Sequence, residues 1–245
     1  MRQFGLIGYP LSHSFSKKYF TDKFMQEGLA DCSYAAYPIA GIGELPALLK
    51  SHPSLEGLNV TIPYKEQVLR YLTEQSPVVQ QVGACNCIRI QQGRLTGYNT
   101  DVTGFEQSLL THLQPHHKKA LILGTGGAGK AVEYVLKKRG IRYRYVSRKP
   151  SVNHFSYEQV TPAVLEEYTL IINTTPLGMY PNITQAPPIP YGALTSRHYL
   201  FDVIYNPATT LFLQQGAQRG AAVQNGLDML IIQAEESWKI WNAGK

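Results

Sequence analysis

The chain has 245 residues, which allows one large or two small domains with a sizeable core. Hydrophobic residues make up 44% and charged residues 16%, as expected for a folded, soluble protein. The net charge of +6 is spread without a dense basic run, which fits either a solvated basic surface or attraction to small anions such as phosphates and carboxylates. Nucleic-acid binding would require a basic stripe and a recognisable module, and neither is visible. No apolar run reaches the length of a membrane span, and no signal peptide is expected.

The cysteine count argues against a disulfide framework. Cys32, Cys85 and Cys87 form an odd set of three, which favours a reducing compartment and a cytoplasmic location. Cys85 and Cys87 flank Asn86, but no second Cys/His pair follows at zinc spacing, so no metal site is expected.

Residues 1–100 alternate short apolar runs with helical patterns. The predicted strands are 4–7, 33–39, 57–60, 85–90 and 94–96. A first helix is expected to be capped by Ser12 or Ser14, and two more helices are predicted at 44–50 and 65–72. The last two strands are expected to form a hairpin. Because this half has no glycine-rich phosphate loop, we expect it to form an α/β unit of its own.

The second half is organised around Gly124, Gly126 and Gly129, which have the spacing G-x-G-x-x-G. The apolar run 120–123 precedes them and a helical pattern follows, so the sequence predicts strand, tight turn and helix. One glycine permits the turn, the next lets the backbone approach a pyrophosphate, and the third brings helix close to strand. The motif is weak alone, but this context favours a dinucleotide-binding Rossmann domain over a plain glycine turn.

The next predicted strand, 141–146, indicates which dinucleotide is bound. It ends at Ser147, Arg148 and Lys149, where a carboxylate would favour NAD and an arginine accommodates the 2′-phosphate of NADP. Two exposed basic residues in an ordinary loop are the alternative. The position relative to Gly124 favours NADP, since a guanidinium fork suits a phosphate.

Further strands are predicted at 170–173 and 199–203, followed by Thr174 and Tyr205 respectively. A final helix after Gly226 is expected to bury one face, made of Leu227, Leu230, Ile231, Ala234, Trp238 and Trp241. Gln233 lies near that face and is a candidate inward-facing polar group. The polar segment 114–117, with His116 and His117, is expected to be a solvated linker between domains.

Candidate acid–base residues follow predicted strands of the first half. A carbonyl that accepts a hydride needs a nearby proton donor, and the seven histidines lie mostly in polar turns or helix ends. Lys65 would serve if partial burial lowered its pKa, with Asp101 orienting its ammonium group. Ordinary turn and capping chemistry explains the same residues, so spacing alone does not decide.

Six segments in order along nearly the whole chain resemble shikimate dehydrogenases. They are 12–16, 59–65, 83–86, 99–101, 124–128 and 225–233. The most specific are Asn-Val-Thr-x-Pro-x-Lys at 59–65 and Gly-x-x-Met-Leu-x-x-Gln at 226–233. The resemblance implies NADP-dependent reduction of 3-dehydroshikimate to shikimate, in aromatic amino-acid biosynthesis.

The resemblance also implies an architecture and a set of site residues. Residues 1–102 with 226–245 would form a substrate-binding α/β domain, and 103–225 a Rossmann-type doubly wound parallel sheet, with a cleft between them. Lys65 and Asp101 would be the catalytic pair. The substrate would be held by Ser14, Ser16, Asn59, Thr61, Asn86, Tyr205 and Gln233. The cofactor would be held by Gly124, Gly126, Gly127, Ala128, Gly129, Ser147, Arg148, Lys149, Thr174 and Gly226.

Four features depart from the family pattern. Cys87 and Tyr98 replace the usual Thr and Asp or His, and Ser147-Arg148-Lys149 replaces Asn-Arg-Thr. The stretch from Arg148 to 170 is short, which suggests trimmed loops or a missing helix. None of these changes removes a candidate catalytic residue.

Other functions remain open at this stage. A quinate/shikimate dehydrogenase with a different cofactor preference should show an acidic residue near Arg148. A silent dinucleotide-sensing regulator should have lost Lys65 or Asp101, and a generic Rossmann binding module does not explain the polar residues at strand ends. Either a monomer or a homodimer is compatible with the sequence.

Overall fold

The computed structural model describes residues 1–11, 15–149 and 154–244. The chain divides into two compact units, the first made of Met1–Thr100 and Ala234–Lys245 and the second of Asp101–Gln233. Each unit has its own six-stranded sheet. The predicted α/β class is confirmed.

The sheet of the first unit is mixed. Its strands are β1 (Arg2–Gly8), β2 (Cys32–Pro38), β3 (Leu55–Val60), β4 (Glu74–Gln75), β5 (Cys87–Gln91) and β6 (Arg94–Tyr98), in the order β2-β1-β3-β5-β6-β4. Its helices are α1 (Phe15–Gln26), α2 (Leu45–Ser51) and α3 (Pro77–Val82). A further helix, α4 (Thr100–Leu109), begins at Thr100, where the first segment of this unit ends. β1 pairs in parallel with β2 and β3, whereas β5 and β6 form the expected antiparallel hairpin.

The second unit contains an all-parallel sheet. Its strands are β7 (Lys119–Leu123), β8 (Arg142–Val146), β9 (His154–Phe155), β10 (Leu170–Asn173), β11 (Tyr199–Asp202) and β12 (Ala222–Gln224). Its further helices are α5 (Gly127–Lys138), α6 (Pro162–Glu167), α7 (Leu211–Gln218) and α8 (Leu227–Asn242), which continues into the first unit. The order β12-β11-β10-β7-β8-β9 is the doubly wound Rossmann order, which reverses between β7 and β10. Ligands bind outside the carboxyl ends of strands at such a reversal.

The end of α8 packs against the sheet of the first unit. Trp241 is almost fully buried, stacks on Phe4 and donates a hydrogen bond from Nε1 to the Ile88 carbonyl at 3.0 Å. A Cβ atom at Gly57 would lie 2.3 Å from that Nε1, so only glycine permits this approach on β3. The contact holds residues 234–242 of α8 in the first unit.

Several local predictions were wrong. The helix predicted at 65–72 is only a 3₁₀ helix, Gln67–Tyr71, and α3, β4 and β9 were not predicted. The short helix α6 lies in the stretch between Arg148 and residue 170, where the length of the chain had suggested trimmed loops or a missing helix. Leu227 is 38% exposed, and the buried face of α8 includes Gln233 and Ser237 instead.

His117 is not part of a solvated linker. The ring is 3% exposed, its Nδ1 accepts the Gln114 N–H at 2.9 Å, and its Nε2 lies 3.2 Å from the Arg197 carbonyl. Burial, with the neighbouring His116, lowers the pKa of His117 to about 4. The segment therefore belongs to the folded second unit, and the expected linker was wrong.

Candidate active site

A buried polar network in the first unit holds Asn59, which lies in β3. The Tyr34 hydroxyl donates a hydrogen bond to Asn59 Oδ1 at 2.8 Å, and Asn59 Nδ2 donates to Ser237 Oγ at 3.0 Å and to the Asn86 carbonyl at 3.3 Å. Ser16, at the start of α1, hydrogen-bonds to Tyr34, and burial raises the pKa of that tyrosine well above its usual value. Both amide hydrogens of Asn59 are therefore used by protein acceptors.

The same network orients the side chain of Asn86. The Thr100 N–H donates to Asn86 Oδ1 at 2.7 Å, and Asn86 Nδ2 donates to Thr100 Oγ1 at 3.0 Å. Thr100 Oγ1 lies 3.2 Å from Ser237 Oγ, so α8 connects the two asparagines. Asn59 and Asn86 are 4% and 3% exposed, which leaves them little rotational freedom.

Thr61 and Lys65 follow β3 in a turn fixed by backbone contacts. The Thr61 N–H donates to the Ile7 carbonyl at 2.9 Å, and the Lys65 carbonyl accepts the Cys85 N–H at 2.8 Å. Between them, the buried Tyr64 hydroxyl donates to the Ile39 carbonyl at 2.6 Å. Both predicted site residues are half-buried. Ser14 lies outside the described residues.

Asp101, Tyr205 and Gln233 belong to the second unit. Asp101 is the second residue of α4, and Asp101 and Gln233 are each 7% exposed. A Cβ atom at Gly104 would lie 2.5 Å from the Met229 carbonyl and 3.2 Å from Gln233 Cβ, so α4 and α8 are in close contact here. Tyr205 follows β11 and is half-buried, which raises its pKa.

The glycine loop between β7 and α5 forms a cradle for an anion. Gly124 has φ +102°, and a Cβ there would lie 2.9 Å from Thr175 Cγ2 and 3.0 Å from Thr174 Oγ1. A Cβ at Gly129 would lie 3.0 Å from the Gly124 carbonyl, whereas one at Gly126 would meet only open space. Gly124 thus lies in a turn with positive φ, Gly129 lies in close packing and Gly126 borders open space, and contact with a pyrophosphate stays a prediction.

The amino terminus of α5 faces this open space. Gly126 is its N-cap, and the Lys130 N–H donates back to the Gly126 carbonyl at 3.2 Å. The N–H groups of Gly127, Ala128 and Gly129 come before that bond and point out of the helix end, where the helix dipole favours a phosphate. The loop therefore fits a dinucleotide pyrophosphate.

The end of β8 carries the basic residues predicted to select the cofactor. Ser147 Oγ accepts the Lys149 N–H at 3.1 Å, and Arg148 and Lys149 are exposed. A carboxylate, Glu133, does lie near this strand on α5, but it accepts a hydrogen bond from the Tyr145 hydroxyl at 2.9 Å and is paired with Lys137. These contacts give Glu133 a structural role between α5 and β8.

Thr174 and Gly226 lie on two further segments of the second unit. Thr174 Oγ1 donates to the Leu123 carbonyl at 2.8 Å, which fixes it beside the glycine loop. A Cβ at Gly226 would lie 2.1 Å from the Val203 carbonyl, and the Gly226 N–H donates to the Ile204 carbonyl at 3.0 Å. Packing accounts for glycine at 226, and a cofactor role there stays a prediction.

Tyr34, Thr100 and Ser237 were not predicted from the sequence. Ser237 lies four residues after Gln233, so a polar position repeated on one helix face was an available signal. Within the described residues, no helix is long and apolar enough to cross a membrane and no cluster of side chains is suited to a metal ion.

Comparison with known proteins gives the family. The model of the shikimate dehydrogenase substrate-binding domain matches residues 6–88. A shikimate dehydrogenase (NADP(+)) from Carboxydothermus hydrogenoformans is 35% identical, over 97% of this chain and 90% of that protein. The chain belongs to the shikimate dehydrogenase family.

Solved structures of shikimate dehydrogenases match both units. The enzyme of Thermus thermophilus, in complex with NADP(H) and shikimate, is 31% identical with a TM-score of 0.83, covering 99% of this chain and 94% of that one. The enzyme of Listeria monocytogenes, in complex with shikimate and NAD, is 27% identical with a TM-score of 0.86, covering 100% and 93%. Relatives with either dinucleotide therefore share this fold.

We expect Tyr34→Phe to lower the free energy of unfolding by about 1–3 kcal/mol, because a buried acceptor, Asn59 Oδ1, loses its donor. Urea denaturation at neutral pH measures the change. Tyr37→Phe, on the same strand, is the control, since the Tyr37 hydroxyl makes no hydrogen bond within the described part of the chain. Equal losses in the two variants would contradict a structural role for the Tyr34 hydroxyl.

Proposed function

We propose that the protein catalyses the reversible, NADP-dependent reduction of 3-dehydroshikimate to shikimate. The observation that carries this proposal is family membership along both units, with the cradle of the glycine loop intact. A place in aromatic amino-acid biosynthesis follows from that reaction. A cytoplasmic location is part of the proposal, and it is supported by three cysteines that form no disulfide among the described residues.

The proposed cofactor residues fall into two groups. The N–H groups of Gly127, Ala128 and Gly129 would bind the pyrophosphate at the helix terminus, with Gly124, Gly126, Thr174 and Gly226 shaping the loop. Ser147, Arg148 and Lys149 would bind the 2′-phosphate, since a guanidinium makes paired, charge-assisted hydrogen bonds to phosphate oxygens. When bound, NADPH supplies the hydride that reduces the substrate carbonyl.

Lys65 and Asp101 are the proposed acid–base pair. As negative charge develops on the carbonyl oxygen, the Lys65 ammonium group would donate its proton to that oxygen. Asp101 would accept a hydrogen bond from the ammonium group or from the substrate hydroxyl and so hold both in place. In the oxidation of shikimate, the neutral Lys65 amine would take the hydroxyl proton back.

Neutral polar groups account for most of the proposed substrate contacts. Ser14 and Ser16 would hold the carboxylate, and Tyr205 would complete the site. The ring hydroxyls would be held by Asn59, Thr61, Asn86, Asp101 and Gln233. Such a set fits a small polyhydroxylated acid, because hydroxyl groups need donors and acceptors rather than charges. Residues 1–102 with 226–245 would then form the substrate-binding domain and 103–225 the cofactor-binding domain, which contributes Tyr205 to the substrate site. Both a monomer and a homodimer are compatible with this proposal.

A cofactor-by-substrate assay tests the proposal. We expect the purified protein to oxidise shikimate with NADP⁺ far faster than with NAD⁺, and to oxidise quinate more slowly with either cofactor. Absorbance of the reduced nicotinamide measures each of the four rates. No oxidation of shikimate with either cofactor would reject the proposed activity. Equal rates with NADP⁺ and NAD⁺ would reject only the proposed role of Arg148 in selecting NADP.

A further inference from the structure

A fully buried carboxyl group, Asp202, lies outside the proposed catalytic set at the carboxyl end of β11. Its Oδ1 accepts the Ile204 N–H and Asn173 Nδ2, each at 3.1 Å, and its Oδ2 accepts the Thr210 hydroxyl at 2.6 Å. None of the ion pairs among the described residues includes Asp202. Three neutral donors therefore surround a group that is charged in water.

One branch of this network reaches the glycine loop. Asn173 Oδ1 accepts the Thr175 N–H at 3.0 Å and the Thr175 hydroxyl at 2.7 Å. The adjacent Thr174 donates from its hydroxyl to the Leu123 carbonyl at 2.8 Å and lies 3.2 Å from the Gly124 carbonyl. Asp202 is thus connected to the loop proposed to hold the pyrophosphate through the side chain of Asn173 and the adjacent residues Thr174 and Thr175.

The other branch fixes the segment after β11. Ile204, whose N–H is held by Asp202, directly precedes Tyr205, a proposed substrate residue. Thr210 caps α7, because its hydroxyl oxygen accepts the Leu213 N–H at 3.4 Å. Asp202 therefore joins the loop after β10, the turn after β11 and the start of α7.

An ionised carboxylate at this position costs stability. Burial raises the pKa of Asp202 to about 6, despite the three donors. An asparagine would avoid the cost of burying a charge, but its amide nitrogen cannot accept a hydrogen bond. A carboxylate accepts the donors of Asn173, Ile204 and Thr210 at the same time, whereas with an asparagine the Thr210 hydroxyl would have to turn and accept a hydrogen bond instead.

We propose that Asp202 is a positioning residue whose carboxylate holds the segments after β10 and β11 in the shape that binds the cofactor. Through Asn173 and Thr174 it also holds the glycine loop in that shape. The inference rests on the proposed function, because that function assigns the glycine loop to NADP. Asp202 itself has no contact with substrate or cofactor in this role.

The network should weaken in mild acid. Oδ1 already receives two N–H donors, so a proton added to Asp202 goes to Oδ2, where the Thr210 hydroxyl must turn to accept it. Among the described residues, Tyr191 is the titratable group that faces Asp202. Its own pKa is raised by burial and by Asp202, so it stays neutral at these pH values. Below about pH 6, the parent protein should come to resemble an uncharged variant.

Asp202→Asn tests the proposal by removing the charge with little change of shape. Amide hydrogen exchange, followed by NMR at pH 7.5, should show protection at Thr175 and Ile204 reduced about tenfold or more. The same loss is expected at Leu177, whose N–H donates to Thr175 Oγ1 at 3.2 Å. Calorimetric titration should show NADP⁺ binding weakened about tenfold, with the turnover number at saturating cofactor within about threefold of the parent. Glu166→Gln, an exposed charge removal in the same unit, is the control and should change neither quantity.

The pH profile separates positioning from a general loss of stability. Differences between Asp202→Asn and the parent, in protection and in NADP⁺ affinity, should shrink toward zero as the pH falls from 7.5 to 5. Comparison at each pH also cancels the titration of the cofactor phosphate itself. Differences that stay constant across this range, or an Asp202→Asn protein that matches Glu166→Gln at pH 7.5, would overturn the proposal.

Thr210 provides a second test if Asp202→Asn does not fold. Thr210→Val removes the hydroxyl donor and should reduce protection at Ile204 and weaken NADP⁺ binding, whereas Thr210→Ser keeps the donor and should restore both. Equal behaviour of the two variants would reject the network. Hydrogen exchange and cofactor binding are measured without shikimate. A failure of this inference can therefore be distinguished from a failure of the proposed activity, which is tested by assaying the parent protein.

Discussion

Replacing Lys65 with alanine should lower the turnover number by about a hundredfold or more while leaving shikimate binding largely intact. General acid–base catalysis by one positioned group contributes about 10²–10⁴-fold to a rate, and that contribution is lost with the ammonium group. Shikimate binding should persist because the proposed ligands of its carboxylate and most of its hydroxyls are other side chains. The effect should therefore fall on the turnover number far more than on KM.

The scaffold around Lys65 makes this experiment interpretable. The backbone at this position is held by its carbonyl, which accepts the Cys85 N–H, and by the buried Tyr64 next to it. Neither contact uses the Lys65 side chain, so both should persist after truncation at Cβ, and an unchanged midpoint of urea unfolding in Lys65→Ala would confirm that the fold is intact. Loss of activity then reports on chemistry rather than on folding.

Lys50→Ala is the matched control, since Lys50 is an exposed lysine of the same unit at the end of α2. Its turnover number should equal that of the parent. The rates are measured from NADPH absorbance and shikimate binding from calorimetry. A fall of less than about tenfold for Lys65→Ala would show that another group donates the proton.

Local sequence signals were sufficient for the glycine loop and for β7, β10 and β11 of the second unit. The glycine loop was predicted because its conformation depends on neighbours within six residues, Gly124 to Gly129, and because glycine is the residue that tolerates φ +102°. The apolar runs that became β7, β10 and β11 are fully buried and so read clearly as strands. The doubly wound order was what the family resemblance implied, and β9 at the edge of the sheet was not predicted.

The polar network of the first unit could not be derived in this way. Asn59 and Ser237 are 178 residues apart, and their contact depends on α8 returning to the first unit. Periodicity describes one element at a time and does not report which elements meet. Candidate residues at strand ends were therefore identified, but the side chains that orient them were not.

The burial of two individual residues was predicted wrongly for a related reason. His117 looked like part of a solvated turn, yet a local contact with Gln114 and a tertiary contact with Arg197 satisfy both ring nitrogens. Leu227 looked like a core residue but begins its helix at an exposed position. Polarity predicts burial on average, whereas a specific partner decides each case.

Arg148→Ala should weaken the binding of NADP⁺ by about ten- to hundredfold and leave the binding of NAD⁺ unchanged, because a hydrogen bond to a charged group contributes about 1.5–3 kcal/mol. NAD⁺ lacks the 2′-phosphate, so it has no group for this guanidinium to bind. Arg148 is exposed, and its removal should not disturb the fold. Calorimetric titration with each cofactor measures both constants.

Arg142→Ala is the matched control for charge, because it removes an exposed arginine from the opposite end of β8. A general electrostatic attraction between a basic protein and an anionic cofactor would weaken in both variants, and it would also affect NAD⁺ through its pyrophosphate. Specific recognition of the 2′-phosphate weakens only Arg148→Ala and only NADP⁺. Adding Lys149→Ala to Arg148→Ala should extend the loss if both cations bind the phosphate. Equal loss with the two cofactors would place Arg148 near the pyrophosphate instead, and the choice between NADP and NAD would then have to come from elsewhere in the second unit.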